Sequence, residues 1–338
     1  MAFLESKLGL LPILKSFIFP DAWFYGKTLS VIYIFVERDI YFLQLINIIA
    51  FLLSLYFAVI IKNKLFENSD ILYPFYFIAL YPIIIQYTSL TLKESLFTLF
   101  LILSIHQFII WFEKRNLINF FLLNIFLFID TLFYIASITA ILLIWIYFII
   151  SFIINYLKYN KNNLKILSLF YLVCSIFVIY FLINFENILN LEIIYFDKIN
   201  NLFNFNKWKV LLSITLQGDA SYPRWIIPNN TIDIFFKIVI RFFYLLYSPF
   251  IWDIEKPSHV VGFIDSLIYL FLTLLIFLNF KKIIGNKLVF IIFFIILIEI
   301  IIFAIGTGNF GTGLRHRSKF LIFFILFAYP NFPKINIK

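Results

Sequence analysis

The chain has 338 residues, of which 63% are hydrophobic and only 13% charged, and it carries a formal net charge of +9. A soluble domain holds about 45–50% apolar and about 25% charged residues, and folding at this length hides only about three quarters of the surface. The surplus apolar surface must face lipid, which excludes a soluble fold and predicts an all-α, polytopic transmembrane helical bundle.

The positive balance does not point to nucleic acid, because Lys and Arg sit mainly at the ends of apolar runs, where they orient membrane helices. Cys174 is the single cysteine, so no internal disulfide can form. The 48 Phe belong to a chain-wide bias toward Phe, Ile, Leu, Asn and Lys and mark no aromatic site.

A membrane span needs about 20 apolar residues. The run 8–19 is too short, and Pro12 and Lys15 interrupt it with no small-residue cleavage site beyond. It reads as an interfacial segment or the remnant of a longer helix, not as a signal peptide. Spans are expected at 40–61, 71–87, 95–111, 117–132, 138–157, 164–183, 263–280, 288–305 and, shorter, 320–332, about nine in all.

Charge then orients them. Lys62 and Lys64, Lys114 and Arg115, Lys158, Lys161 and Lys165, Lys281, Lys282 and Lys287, and finally Lys334 and Lys338 fall on one side. The positive-inside rule makes that side cytoplasmic. The scheme requires that 231–252 not span. There Asp233, Lys237 and Arg241 recur every four residues, filling a wedge about 80° wide, the pattern of a helix lying flat in the headgroup layer. Three regions follow: an N-terminal membrane half, 1–183; an external loop, 184–262, holding that interfacial helix; and C-terminal membrane helices, 263–338, with an external loop at 306–319.

That last loop reads GTGNFGTGLRHRSK and places Arg315, Arg317 and Lys319 outside, against the orientation rule. Glycines at 306, 308, 311 and 313 would free backbone N–H groups for an anion, and arginine forks grip phosphate at two points. The loop is expected to hold a phosphate or pyrophosphate headgroup; anchoring to anionic lipid is the simpler alternative. At the mouth of the span at 95–111, Lys93 and Glu94 offer a carboxylate beside a cation. Glu94 can act as a base, a metal ligand or an ion-pair partner, or can cap the helix together with Thr91. His106, Asp130 and Glu299 are ionisable residues inside expected spans and count as functional candidates by default. No metal-ligand spacing, Gly-rich phosphate loop or Ser/His/Asp signature is present, so no cofactor is assigned; a divalent cation remains open.

Several stretches carry a resemblance. Residues 34–65 with Gln44 and Asn47, residues 80–107 with Tyr81-Pro82 and Lys93-Glu94, residues 244–269 containing SPFIWDIEKPSHVVGFIDSLIY, and residues 308–319 cover roughly a third of the chain. They resemble the C-type polytopic membrane glycosyltransferases and similar membrane proteins of bacterial polysaccharide biosynthesis clusters. The last two stretches are the more specific. The resemblance implies a multi-pass protein of the bacterial plasma membrane that transfers a sugar from a polyprenyl-phosphate carrier, on the external face, with inversion. Such enzymes place an essential Asp in the first external loop; here the early carboxylates are Asp21, Glu37 and Asp39, none in a matching motif. In this scheme Glu94 or Asp21 takes the acceptor's proton. Arg315 and Arg317, with Lys319 and Lys93, meet the phosphate, and Lys237 and Arg241 steer the headgroup. A polysaccharide polymerase uses the same parts. A transporter or lipid-linked saccharide flippase would instead use Asp130, Glu299 and His106 as a path, and a non-catalytic membrane subunit is a further alternative.

Overall fold

The computed structural model describes residues 6–7, 9–10, 12–13, 24–36, 39–66, 72–158, 205–216, 218 and 220–332. Asp21, Glu37 and the span expected at 164–183 lie outside the described residues. The described residues are predominantly helical, and four helices are long and apolar enough to cross a membrane: Ile40–Leu65, Glu94–Lys114, Pro257–Leu278 and Lys287–Ile305.

The chain forms two compact units, one from Met1–Arg38 and Ser137–Asp197, the other from Asp39–Ala136 and Lys198–Lys338. In the first, the described helices are α1 (Phe24–Val36) and α7 (Ile138–Lys158). Every candidate site residue within the described part belongs to the second unit.

That unit begins with α2 (Ile40–Leu65), whose 26 residues rise about 39 Å, more than a hydrocarbon core of about 30 Å. Asp39 caps it by accepting from Tyr41 N, and Lys62 and Lys64 close its last turn. The span expected at 71–87 is instead two helices of seven residues, α3 (Tyr73–Ala79) and α4 (Pro82–Thr88). Pro82 supplies no N–H and holds Tyr81 in an extended conformation, φ −72° and ψ 122°, so the first helix must stop.

Next come α5 (Glu94–Lys114) and α6 (Leu117–Phe133), joined by a tight reversal. Arg115 turns the chain in the left-handed region at φ 52°, and the Asn116 side chain accepts from Ile118 N to start α6. Helices of 21 and 17 residues folded back on each other bring the end of the second beside the start of the first. Residue 134 therefore returns to residue 94.

The rest of the unit is α8 (Phe205–Ile214), α9 (Thr231–Tyr247), α10 (Pro257–Leu278), α11 (Phe280–Gly285), α12 (Lys287–Ile305), α13 (Phe310–Ser318) and α14 (Leu321–Ala328). All residues of α14 are buried, packed by α10, α2 and α3. The segment expected to span at 320–332 is thus the core of the unit: its eight helical residues rise only about 12 Å. In α9 the arrangement inverts the sequence expectation. Ile232, Phe235, Phe236, Val239 and Phe243 are exposed, whereas Arg241 is fully buried and Lys237 partly buried. The charged wedge faces protein, and the apolar face is turned outward.

Candidate functional site

The site grows from the α5–α6 reversal. Lys93 is the N-cap of α5 and makes no side-chain cap, so the expected Thr91–Glu94 capping pair is not formed. Glu94 instead turns inward, its side chain 4% exposed. Its Oε1 accepts a 2.6 Å hydrogen bond from Tyr134 Oη, and Arg315 Nε lies 2.8 Å from the same oxygen. That second contact is a close charge pairing rather than an aligned hydrogen bond, because Arg315 Nε has no acceptor in line. Oε2 of Glu94 is buried and, among the described residues, has no hydrogen-bond partner.

Arg315 arrives on α13, and the sequence explains why that segment is a helix rather than the expected loop. Asn309 caps it, its side chain accepting from Gly311 N and Thr312 N. Two of the four glycines serve close packing. A Cβ on Gly308 would stand 2.5 Å from Thr215 O, and one on Gly313 2.9 Å from Tyr222 Oη. The N–H of Gly311 goes to Asn309, and that of Gly313 to the Asn309 carbonyl. Backbone bonds Tyr222 N to Gly308 O and Phe310 N to Ala220 O then clamp the turn.

The helix separates the two arginines that the sequence reading paired. At about 100° per residue, positions two apart leave a helix on nearly opposite sides. Arg315 reaches Glu94 with its side chain 35% exposed, while Arg317 is buried against Asp265 on α10. Arg317 Nε donates to Asp265 Oδ2 at 2.5 Å, and Nη2 contacts the same oxygen and Gly262 O. Nη1 donates to Leu246 O and Ser248 O. All five guanidinium N–H groups are accounted for, leaving Arg317 no donor for a phosphate. Tyr81 Oη donates to Asp265 Oδ1, and Tyr269 Oη to the Arg317 carbonyl.

Other candidates are likewise engaged. Arg241 donates to Thr215 Oγ1, Ile305 O, Thr307 O and Leu212 O, tying α9 to the ends of α12 and α8. Lys237 pairs with Asp233 at 3.8 Å and lies over the Trp225 ring. Arg241 is thus engaged inside the protein, while Lys237 keeps a partly exposed side chain. Asp130 on α6 and Glu299 on α12 are fully buried; Asp130 lies one turn before Tyr134. His106 on α5 stacks near Phe57, away from Glu94 along the helix. Of the cations, Lys93 and Lys319 join the site. Lys93 Nζ donates to Phe133 O at 2.7 Å and sits 4.0 Å from the Tyr134 ring centre. Lys319 Nζ is 3.3 Å from that same centre.

Electrostatics follow from burial and crowding. Burial lowers the Lys93 pKa; Glu94 opposes the shift and Arg315 adds to it. Burial alone would lower the Arg315 pKa, but Glu94 and Tyr134 outweigh it and raise it, so the guanidinium stays charged. Burial, then Glu94, raises the Tyr134 pKa, which keeps the phenol a donor. Burial holds His316 well below its ordinary value, with Lys319, Arg315 and Lys93 adding to the effect.

Tyr134 and Asp265 were not singled out from the sequence. Asp265 lies inside the span expected at 263–280 and carries the same signal as Asp130 and Glu299. Tyr134 carries none, being one of 20 Tyr in the chain. Comparison with protein-family models, curated proteins and solved structures finds no match to this chain.

Proposed function

We propose that this chain is a multi-pass membrane transferase that moves a sugar from a polyprenyl-phosphate carrier to an acceptor hydroxyl at the external face of a bacterial plasma membrane. In this reading the shorter apolar helices α6 and α7 also cross the bilayer, and the outward apolar face of α9 rests in lipid. The observation that carries the proposal is the state of Glu94: one oxygen is held by Tyr134 and Arg315, and the other is buried without a partner among the described residues. A buried carboxylate with an open acceptor suits proton abstraction.

Beside it, Arg315 is half-exposed, with Nε toward Glu94 and Nη2 3.5 Å from Tyr134 Oη, so its outer edge carries Nη1. A phosphate engaging that outer edge would be delivered next to Glu94, with Lys93 as a second cation. Glu94 Oε2 then takes the acceptor's proton, and the acceptor oxygen bonds to the anomeric carbon. The bond from that carbon to the phosphate oxygen breaks, and the lipid phosphate leaves with the electron pair, its charge met by Arg315. Arg317 has no part in this step.

The test is turnover by the purified full chain in lipid nanodiscs, given polyprenyl-phosphate-linked and polyprenyl-pyrophosphate-linked sugars with soluble acceptors. Sugar transfer with release of lipid phosphate is expected, and Glu94→Gln should lower it on the order of a hundredfold or more with the protein level unchanged. No release above the protein-free control from any donor, or full activity in Glu94→Gln, would overturn the proposal.

A further inference from the structure

Lys319 is too deeply buried to meet a membrane-borne ligand, yet it is built into the same constellation. Its Nζ stands 3.3 Å from the ring centre of Tyr134, 4.3 Å from Phe303 and 5.2 Å from Phe97, and 2.8 Å from His316 Nδ1. Three ring faces converge on one nitrogen and fix its place, while burial lowers the Lys319 pKa well below its ordinary value. Thr98 Oγ1, which donates to the Glu94 carbonyl at 3.0 Å, also lies 3.4 Å from the Lys319 carbonyl. The Tyr134 ring thus carries two lysine amino groups, Lys319 from the junction of α13 and α14 and Lys93 from the start of α5.

The consequence falls on Glu94. A carboxylate has two equivalent oxygens, and either could receive a phenol. Here Tyr134 and Arg315 address the same one, Oε1. Where the phenol is held decides which oxygen is left. We propose that Lys319 is a positioning residue acting through Tyr134: seated on the ring, it fixes the hydroxyl on Glu94 Oε1 and so leaves Oε2 as the one oxygen open to a hydroxyl-bearing substrate. The groups facing Glu94 are Lys93 on its own element, Tyr134 after α6, Arg315 on α13, Lys319 beyond it, and Tyr87 on α4. The proposal rests on Glu94 being the working carboxylate, but it can be tested without turnover.

The probe is a hydrophobic carbodiimide, which forms a covalent adduct with a carboxyl group and reports how open that group is. The full chain in detergent is treated for increasing times, and the adduct at Glu94 is measured by peptide mass spectrometry against Glu113, an exposed internal control. Tyr134→Phe keeps the ring and deletes the hydroxyl; Lys319→Met keeps length and deletes the amino nitrogen over the ring. Each should change the Glu94 rate by about tenfold, and the double variant should change it no further than the larger single effect, the signature of two residues acting as one. Additive effects, or a Lys319→Met rate within about twofold of the parent, overturn the proposal. A purely structural role would move the Glu113 rate and the thermal midpoint as well. Should Lys319→Met not accumulate, Lys319→Arg decides the matter: a nitrogen retained over the ring must keep the Glu94 rate within about threefold, and a larger change overturns the proposal. Failure of sugar transfer with these carbodiimide results intact would discard the proposed reaction and leave the role of Lys319 standing.

Discussion

Arg315 and Arg317 leave the same helix two residues apart, and each pairs with a carboxylate on another helix. Their surroundings differ at every step. The Arg317–Asp265 pair is sealed, with side chains 1% and 2% exposed, and carbonyls of Leu246, Ser248 and Gly262 take up the remaining N–H groups. The Arg315–Glu94 pair is left incomplete: the arginine is half-exposed, and one carboxylate oxygen has no partner among the described residues. A sealed pair fixes where helices meet, because breaking it strands a buried charge. An incomplete one holds a charge in place while keeping hydrogen-bonding capacity for something else. Saturation, more than burial or charge, separates the structural pair from the candidate working pair.

The contrast can be broken most forcefully at Arg317. Arg317→Lys keeps the charge but offers three donors in place of five, so buried carbonyls lose partners. A loss of about 3–5 kcal/mol is expected, read as a collapse of membrane protein level or a large drop in thermal midpoint. Wild-type stability with lost activity would return Arg317 to the phosphate.

A smaller effect separates the two tyrosines. Tyr81→Phe leaves Asp265 Oδ1 without its donor in a sealed site and should cost about 1–3 kcal/mol in thermal unfolding. Tyr134→Phe removes a comparable bond, but Glu94 Oε1 keeps Arg315 at 2.8 Å, so the cost in unfolding should stay near about 1 kcal/mol. Equal losses would mean that the two pockets are equally closed. Smallest of all, Arg315→Lys should change stability by under about 1 kcal/mol, as for other partly exposed pairs.

Much of this fold is legible in the sequence. Helices at Ile40–Leu65, Glu94–Lys114 and Lys287–Ile305 follow from long apolar runs bounded by Asp39, Lys64, Lys114 and Asn286, all local signals. Pro82 is a local signal too: it divides the apolar run 71–87 into two short helices, which hydropathy alone does not show. The segment 306–319 misled because four glycines suggest loop, whereas Asn309 starts a helix and tertiary packing against Thr215 and Tyr222 requires the small residues. That error carried the site with it. In an extended loop residues 315 and 317 share a side; in a helix they part. Asp265 and Tyr134 are partners distant in sequence, set by which helices meet, and no local pattern encodes that meeting. Glu94, Lys93 and Arg315 were found because charge at a membrane boundary is conspicuous whatever the fold.

The central claim is that Arg315, and not Arg317, meets a phosphate through its planar fork. The most direct measurement is the affinity of the purified full chain for a short-chain polyprenyl phosphate, comparing the parent, Arg315→Lys and Glu94→Gln at matched thermal midpoints. The account predicts that Arg315→Lys weakens binding by about tenfold or more, because the two-point grip is lost while the charge remains. It predicts that Glu94→Gln binds at least as well as the parent, since removing the carboxylate frees Arg315. Parent-like affinity in Arg315→Lys would contradict the account and reduce the contact to generic attraction between a cation and an anionic lipid.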